Sequence, residues 1–117
     1  MNIFMKIVNH EIPANRVYED EHTLAFHDVD PQAPVHILVI PKKEVKDFQS
    51  CDSETIGYLL YASQAVAKKL KLDESGYRVV INNGRDAGQE IAHLHLHVLG
   101  GTKLGHIHHQ DRTKSAL

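Results

Sequence analysis

The sequence predicts an α+β domain in which a mainly antiparallel, five-stranded sheet carries one short N-terminal helix and one long helix. Three observations lead there. Helical and strand patterns segregate along the chain, in the order helix, three strands, long helix, two strands, rather than alternating as a parallel sheet requires. The chain has 117 residues with 42% hydrophobic content, the amount of one ordinary domain with its own core. The loop between the last two strands is short enough for a hairpin-like return. The predicted unit is a single domain over residues 1–117, with 101–117 an irregular, mobile tail.

Each element has its own reason. In "NIFMKIVNHEI" the residues Ile3, Phe4, Ile7 and Val8 recur at helical spacing; Asn2 can cap that helix and Pro13 would stop it. "RVYED" and "TLAFHDV" are short strands around the turn-prone Glu19-Asp20-Glu21, and "VHILVIPKK" is an apolar, β-branched run ended by Pro41, the pattern of a largely buried strand. "DSETIGYLLYASQAVAKKLKLDESG" is the long helix. Asp52 or Ser53 caps it. Ile56, Leu59, Leu60, Val66, Ala67 and Leu70 form its apolar face, and Ser63 on that face can bond back one turn. Lys68, Lys69 and Lys71 suit its C-terminal dipole. "YRVVIN" is a strand, "NGRDAGQEIA" a glycine-containing loop and "HLHLHVLG" the last strand.

Composition excludes several classes of function. The formal net charge is −2 with no basic stripe, which disfavours nucleic acid as a partner and favours a small molecule. The opening residues lack a signal peptide's apolar region, and no apolar run is long enough to cross a bilayer. The one cysteine, Cys51, can make no intrachain disulfide and offers no cysteine-based metal framework. A cytoplasmic protein without membrane contact is the expectation.

The ten histidines concentrate attention on "HLHLHVLGG". In a strand His93, His95 and His97 share one face while Leu94, Leu96 and Val98 share the other. Same-face neighbours stand roughly 6.5–7 Å apart, so the outer two are about 13 Å apart. Two of them can lean onto one metal ion, whose bonds to imidazole are about 2.0–2.1 Å. All three cannot easily do so, although a further ligand from elsewhere is open. A row of separate tasks fits better. Protonated rings bind anionic oxygens, and a neutral ring is a nucleophile or base near pH 7. A histidine attacking phosphorus gives a phosphohistidine-type intermediate that water cleaves, with flanking rings holding oxygens and moving protons. Gly84 and Gly88 in the preceding loop let backbone N–H groups approach a phosphate. Taken singly, other residues have plain structural readings: Asp28 a turn aspartate, Phe4, Ile7, Phe26 and Leu38 core, Asn82-Asn83-Gly84 a turn. His106, His108 and His109 form a cluster that binds adventitious metal or belongs to a solvated tail.

"HLHLHVL" resembles the signature of the histidine triad (HIT) family, His-φ-His-φ-His-φ-φ with φ apolar. "IFMKIVNHEIPANRVYEDE", "LAFHDVDPQAPVHILVIPKK" and "INNGRDAGQEIAHLHLHVLGG" are similar to the corresponding segments of its nucleoside phosphoramidase branch, so the likeness runs over nearly the whole chain. The resemblance implies the family's HIT-like α+β fold and a homodimer. It implies a hydrolase that binds a purine nucleotide of AMP or GMP type and cleaves P–N bonds of adenosine phosphoramidates, with no cofactor and no metal. His95 corresponds to the nucleophile, His97 to the residue that binds and polarises the α-phosphate, His93 to the support of the nucleophile, and His36 to a histidine set behind the triad. Asp28 corresponds to the carboxylate that accepts both ribose hydroxyls. Phe4, Ile7, Phe26, His27, Val29 and Leu38 correspond to the purine and ribose pocket, Asn82 to an asparagine near the scissile phosphate, and Gly88, Glu90 and Ile91 to the phosphate loop.

The chain departs from the family at three places. Asn2 and Met5 stand where some members carry a zinc-binding cysteine pair. The chain has no tryptophan, unlike the tryptophan-bearing tail of eukaryotic phosphoramidases. Glu90 replaces a smaller polar residue. The alternatives are a dinucleoside polyphosphate or adenylyl-sulfate type hydrolase of the same family, a non-enzymatic nucleotide-binding scaffold, and a metal site.

Overall fold

The computed structural model describes residues 1–107. Its elements in chain order are α1 (Ile3–Val8), β1 (Arg16–Glu19), β2 (Thr23–His27), β3 (Val35–Pro41), α2 (Ser53–Lys69), α3 (Leu72–Ser75), β4 (Arg78–Ile81), a 3-10 turn (Arg85–Ala87) and β5 (Leu96–Gly100). The five strands form one antiparallel sheet in the order β1-β2-β3-β5-β4. The expected α+β fold is therefore the observed one. No helix among the described residues is long and apolar enough to cross a membrane.

Both faces of the sheet are covered, which explains why the middle strands are apolar throughout rather than alternating. Ala25, Ile37, Val39, Leu96 and Val98 face the long helix and pack on Leu59, Ala62, Val66 and Ala67. Leu24, Phe26, Leu38 and Ile40 face the other way and pack on Phe4 and Ile7 of α1. The buried residues of α2 also include Thr55 and Ser63, whose hydroxyl donates to the Leu59 carbonyl at 2.8 Å.

Several expected details differ. Leu60, assigned to the apolar face of α2, is 45% exposed. The long helix does not run on through Lys71: that residue takes a left-handed conformation (φ 61°, ψ 25°) and starts the separate turn α3, whose Leu72 is buried. Pro13 does not stop α1, which ends at Val8 with Asn9 as its cap, before the left-handed His10.

The largest correction concerns the last strand. Residues 93–95 precede β5, which begins at Leu96. The register Val39↔Leu96 would set Leu94 opposite Pro41. Pro41 turns its carbonyl toward His93, so its nitrogen faces this side too and has no hydrogen to offer the ladder. Leu94 instead donates to the Val45 carbonyl at 2.7 Å. His93 stays on the α1 side, its ring edge-on to Phe4 as that of His95 is, but lies deeper and is fully buried. The three imidazoles share the face toward α1 as expected, and Leu94, Leu96 and Val98 share the one toward the long helix. Of the predicted tail, residues 101–107 have no helix or strand; His108, His109 and the rest lie outside the described residues.

Candidate active site

A cleft of about 450 Å³ opens on the α1 side of the sheet, a size usual for small-molecule sites. Its apolar end is built from Phe4 and Ile7 of α1, Phe26 of β2, Leu38 of β3 and Ile91 of the loop before β5. The polar end holds His36, His95, His97, Asp28 and Asn82. Gly88 and Glu90 close one side, while His27 and the fully exposed Val29 form the rim. Every residue that the resemblance assigned to the site lines this cleft except His93, which lies behind it; Gly84, also singled out in the sequence, does not line it. Sequence reasoning missed Ile3, Ile12, Pro13, Ala14, Asp30 and Gln32, which also line it. No residue type among them signals a site. Ile3 stands in α1 itself, and the others come to the cleft because the chain leaving α1 and the chain leaving β2 both pass its mouth.

Hydrogen bonds set the tautomers of the imidazoles. The Gln32 backbone N–H donates to His36 Nδ1 at 3.0 Å, so the hydrogen of neutral His36 is on Nε2. That nitrogen lies 2.8 Å from His97 Nδ1, diagonally across the β3–β5 pair, and donates to it. The hydrogen of His97 is then on Nε2, as a donor available to the cleft. His95 Nδ1 lies 2.7 Å from the His93 carbonyl, which can only accept, so Nδ1 carries the hydrogen. Nε2 of His95 is left as an unprotonated lone pair. Donor and lone pair sit on neighbouring rings, with centroids 5.2 Å apart and edge-on geometry.

Burial holds the His97 pKa down to about 4, with the neighbouring His95 and His36 adding to the depression and Asp28 opposing it. Burial also lowers His36, against the pull of Asp28 and Asp30, and His93, against its hydrogen bond to Pro41. These rings are neutral at pH 7, so the 3.4 Å approach of His36 Nε2 to Asp28 Oδ2 is no ion pair. Asp28 is aimed by its Oδ1, which accepts the Asp30 N–H at 2.8 Å.

Nitrogen or oxygen atoms of Asp28, His36 and His97 lie within 4.8 Å of one another, close enough for one metal ion to reach all three. The donor chemistry does not fit. A metal needs a lone pair on His36 Nε2, which moves the hydrogen to Nδ1, where the Gln32 N–H already points. Two donors would then face each other inside a buried ring's contact.

The phosphate-loop candidates are held by one side chain. Gln89 Oε1 accepts the Gly84 N–H at 2.8 Å, and its Nε2 donates to the carbonyls of Lys46 and Ile91 at 2.9 and 3.0 Å. Gly88 has φ 84° in the left-handed region, with open space where a Cβ would stand, so a ligand can come close to its backbone.

Comparison with known proteins agrees with this architecture. The family model described as the HIT domain matches residues 9–104. An uncharacterized HIT-like protein of Buchnera aphidicola is 46% identical, over 91% of this chain and 97% of its own length. The crystal structure of a HIT family hydrolase from Legionella pneumophila superposes with a TM-score of 0.86 at 42% identity, covering 90% of this chain and 96% of that one. A histidine triad nucleotide-binding protein from Candida albicans superposes with a TM-score of 0.81 at 32% identity, over 95% of this chain and 86% of its own.

Proposed function

The chain belongs to the HIT domain family, and we propose that within it this protein is a purine-nucleotide hydrolase that cleaves the P–N bond of adenosine phosphoramidates through a nucleotidyl-His95 intermediate. The observation that carries the proposal is the fixed tautomer of His95. Its Nδ1–H is committed to the His93 carbonyl, which leaves Nε2 as a lone pair in a cleft of nucleotide size.

The chemistry follows from the geometry. The purine lies against Phe4, Ile7, Phe26 and Leu38, and Asp28 accepts the ribose hydroxyls. His95 Nε2 attacks phosphorus while the P–N bond breaks and the amine leaves with a proton taken up from solvent. The Nε2–H of His97 holds a non-bridging oxygen, where charge builds up. The ring of His95 becomes cationic, and the His93 carbonyl on its Nδ1–H stabilises that charge. Water then attacks phosphorus, releasing nucleoside monophosphate and a proton and restoring neutral His95. Backbone N–H groups around Gly88 assist with the phosphate.

Charge separates this reading from the polyphosphate alternative. The cleft is lined by Asp28, Asp30 and Glu90 and by no Lys or Arg among the described residues. An extended polyanionic leaving group is repelled there, whereas an amine is not. We also assign a homodimer, supported by the open outer edge of β4 with exposed Tyr77 and Val79, and a cytoplasmic location, in keeping with the single free Cys51.

The test is hydrolysis of a fluorogenic adenosine phosphoramidate with chelator present. Wild-type protein turns it over, and His95→Ala loses roughly 10³-fold or more in kcat with AMP affinity kept within about threefold. Turnover surviving in His95→Ala removes His95 as nucleophile. AMP binding without turnover of any phosphoramidate or dinucleotide moves the protein to the scaffold class.

A further inference from the structure

We propose that Asn2 is a positioning residue of the site: one end of its side chain holds the start of α1 and the other holds the ring of His93, fixing the carbonyl on which His95 aligns. The proposal rests on His95 as the nucleophile.

The orientation of the Asn2 amide is set by the helix. Its Oδ1 accepts the Met5 N–H at 2.9 Å as the N-cap of α1, so the group pointing the other way is the Nδ2 donor. That donor lies 3.1 Å from His93 Nδ1. On the far side of the same ring, Nε2 is 3.1 Å from the Pro41 carbonyl, which can only accept. The two bonds agree on one neutral tautomer, hydrogen on Nε2 and lone pair on Nδ1. The ring is fully buried, so no water can stand in for either partner.

This matters because residues 93–95 are outside the sheet. Their backbone is held by the Leu94–Val45 bond and by the two anchors of the His93 ring, one of which is Asn2. The carbonyl of the same residue accepts from His95 Nδ1 at 2.7 Å. A His93 ring that loses an anchor lets that carbonyl drift, and with it the aim of His95. The same helical turn carries Phe4, whose ring stands edge-on to both His93 and His95 at centroid distances of 5.9 and 5.1 Å. Asn2 therefore ties the apolar wall of the cleft to its nucleophile.

Two substitutions separate this role from capping alone, since both keep an N-cap acceptor. Asn2→Asp offers a carboxylate where His93 Nδ1 needs a donor. The other groups acting on that ring are His95 and Glu44. Nitrogen-15 NMR of the His93 ring shows the Nε2–H form in wild type. In Asn2→Asp a hydrogen appears on Nδ1, kcat falls about tenfold, as loss of a buried hydrogen-bond partner implies, and KM stays within about twofold. A change in one of these two readouts, tautomer or kcat, without the other overturns the proposal. Asn2→Ser keeps the cap, removes the amide and adds no charge; kcat falls there too, and a wild-type kcat in that variant also overturns it. Wild-type protein without turnover sinks the functional reading instead, and the His93 tautomer in Asn2→Asp still decides whether Asn2 holds the ring.

Discussion

The imidazole of His97 stays uncharged well below neutrality, because burial holds its pKa to about 4 against 6.5 for a free ring. Between those values the unfolded chain binds more protons than the folded one. The stability this group contributes is therefore complete above pH 6.5 and is lost as pH falls toward 4. His36 and His93 shift in the same direction and add to the slope. Urea unfolding should show stability dropping from pH 7 to pH 4, and His97→Gln should flatten part of that drop; an unchanged slope in the variant counts against a depressed His97. The residue types of the site and the face they share were legible from the alternation of histidines and its context, yet the late start of β5 and the burial of His93 were not. Nothing in "HLHLHVLGG" says that a proline on the neighbouring strand denies Leu94 its ladder partner. Asn2 shows the same limit. Its capping role is written in the local sequence, whereas its contact with a residue 91 positions away appears only on folding.

At the scale of elements, periodicity located every strand and both principal helices, because each buries a face and the burial leaves its period in the chain. The join between α2 and α3 was hidden. "KKLKLDES" has no glycine or proline to mark a break, and the chain turns there on a lysine. Lys71 takes φ 61°, a conformation in which a Cβ crowds the following carbonyl and glycine is favoured. Lys71→Gly should therefore raise stability by about 0.5–1 kcal/mol, seen as a Tm higher by a few degrees. A lower Tm would mean that the lysine side chain contributes more than its backbone costs. Gly101 makes the opposite case. Its φ is 87°, and a Cβ there would stand 3.1 Å from Pro34 and 3.3 Å from Val35, so the glycine is what lets the chain leave β5 beside β3.

For the molecule as a whole, the sheet divides the labour: the long helix covers one face for stability, and the short helix leaves room on the other for a ligand. Binding there must feed back on folding, because a ligand held only by the native state stabilises it by RT ln(1 + [L]/Kd). Saturating AMP should raise the Tm of wild-type protein more than deoxy-AMP does, and Asp28→Ala should erase that difference, since hydrogen bonds to a carboxylate contribute roughly 1.5–3 kcal/mol. Equal losses for the two nucleotides would take the ribose away from Asp28. The overall architecture could be read from the sequence because segregated patterns allow few topologies. The missed lining residues, Ile12 through Ala14 and Gln32, belong to connecting chain, whose path is decided by the elements it joins.

The hydrogen bond from Asn2 to His93 also has a temporal meaning. Bringing residue 2 to residue 93 closes a loop of almost the entire domain, and contacts of such sequence separation form late. A chain emerging from the ribosome can pair β1, β2 and β3 while His93, His95 and His97 have yet to be synthesised. The candidate site is thus completed last, and a partly made chain holds three of the five strands while the cleft is still open on one side.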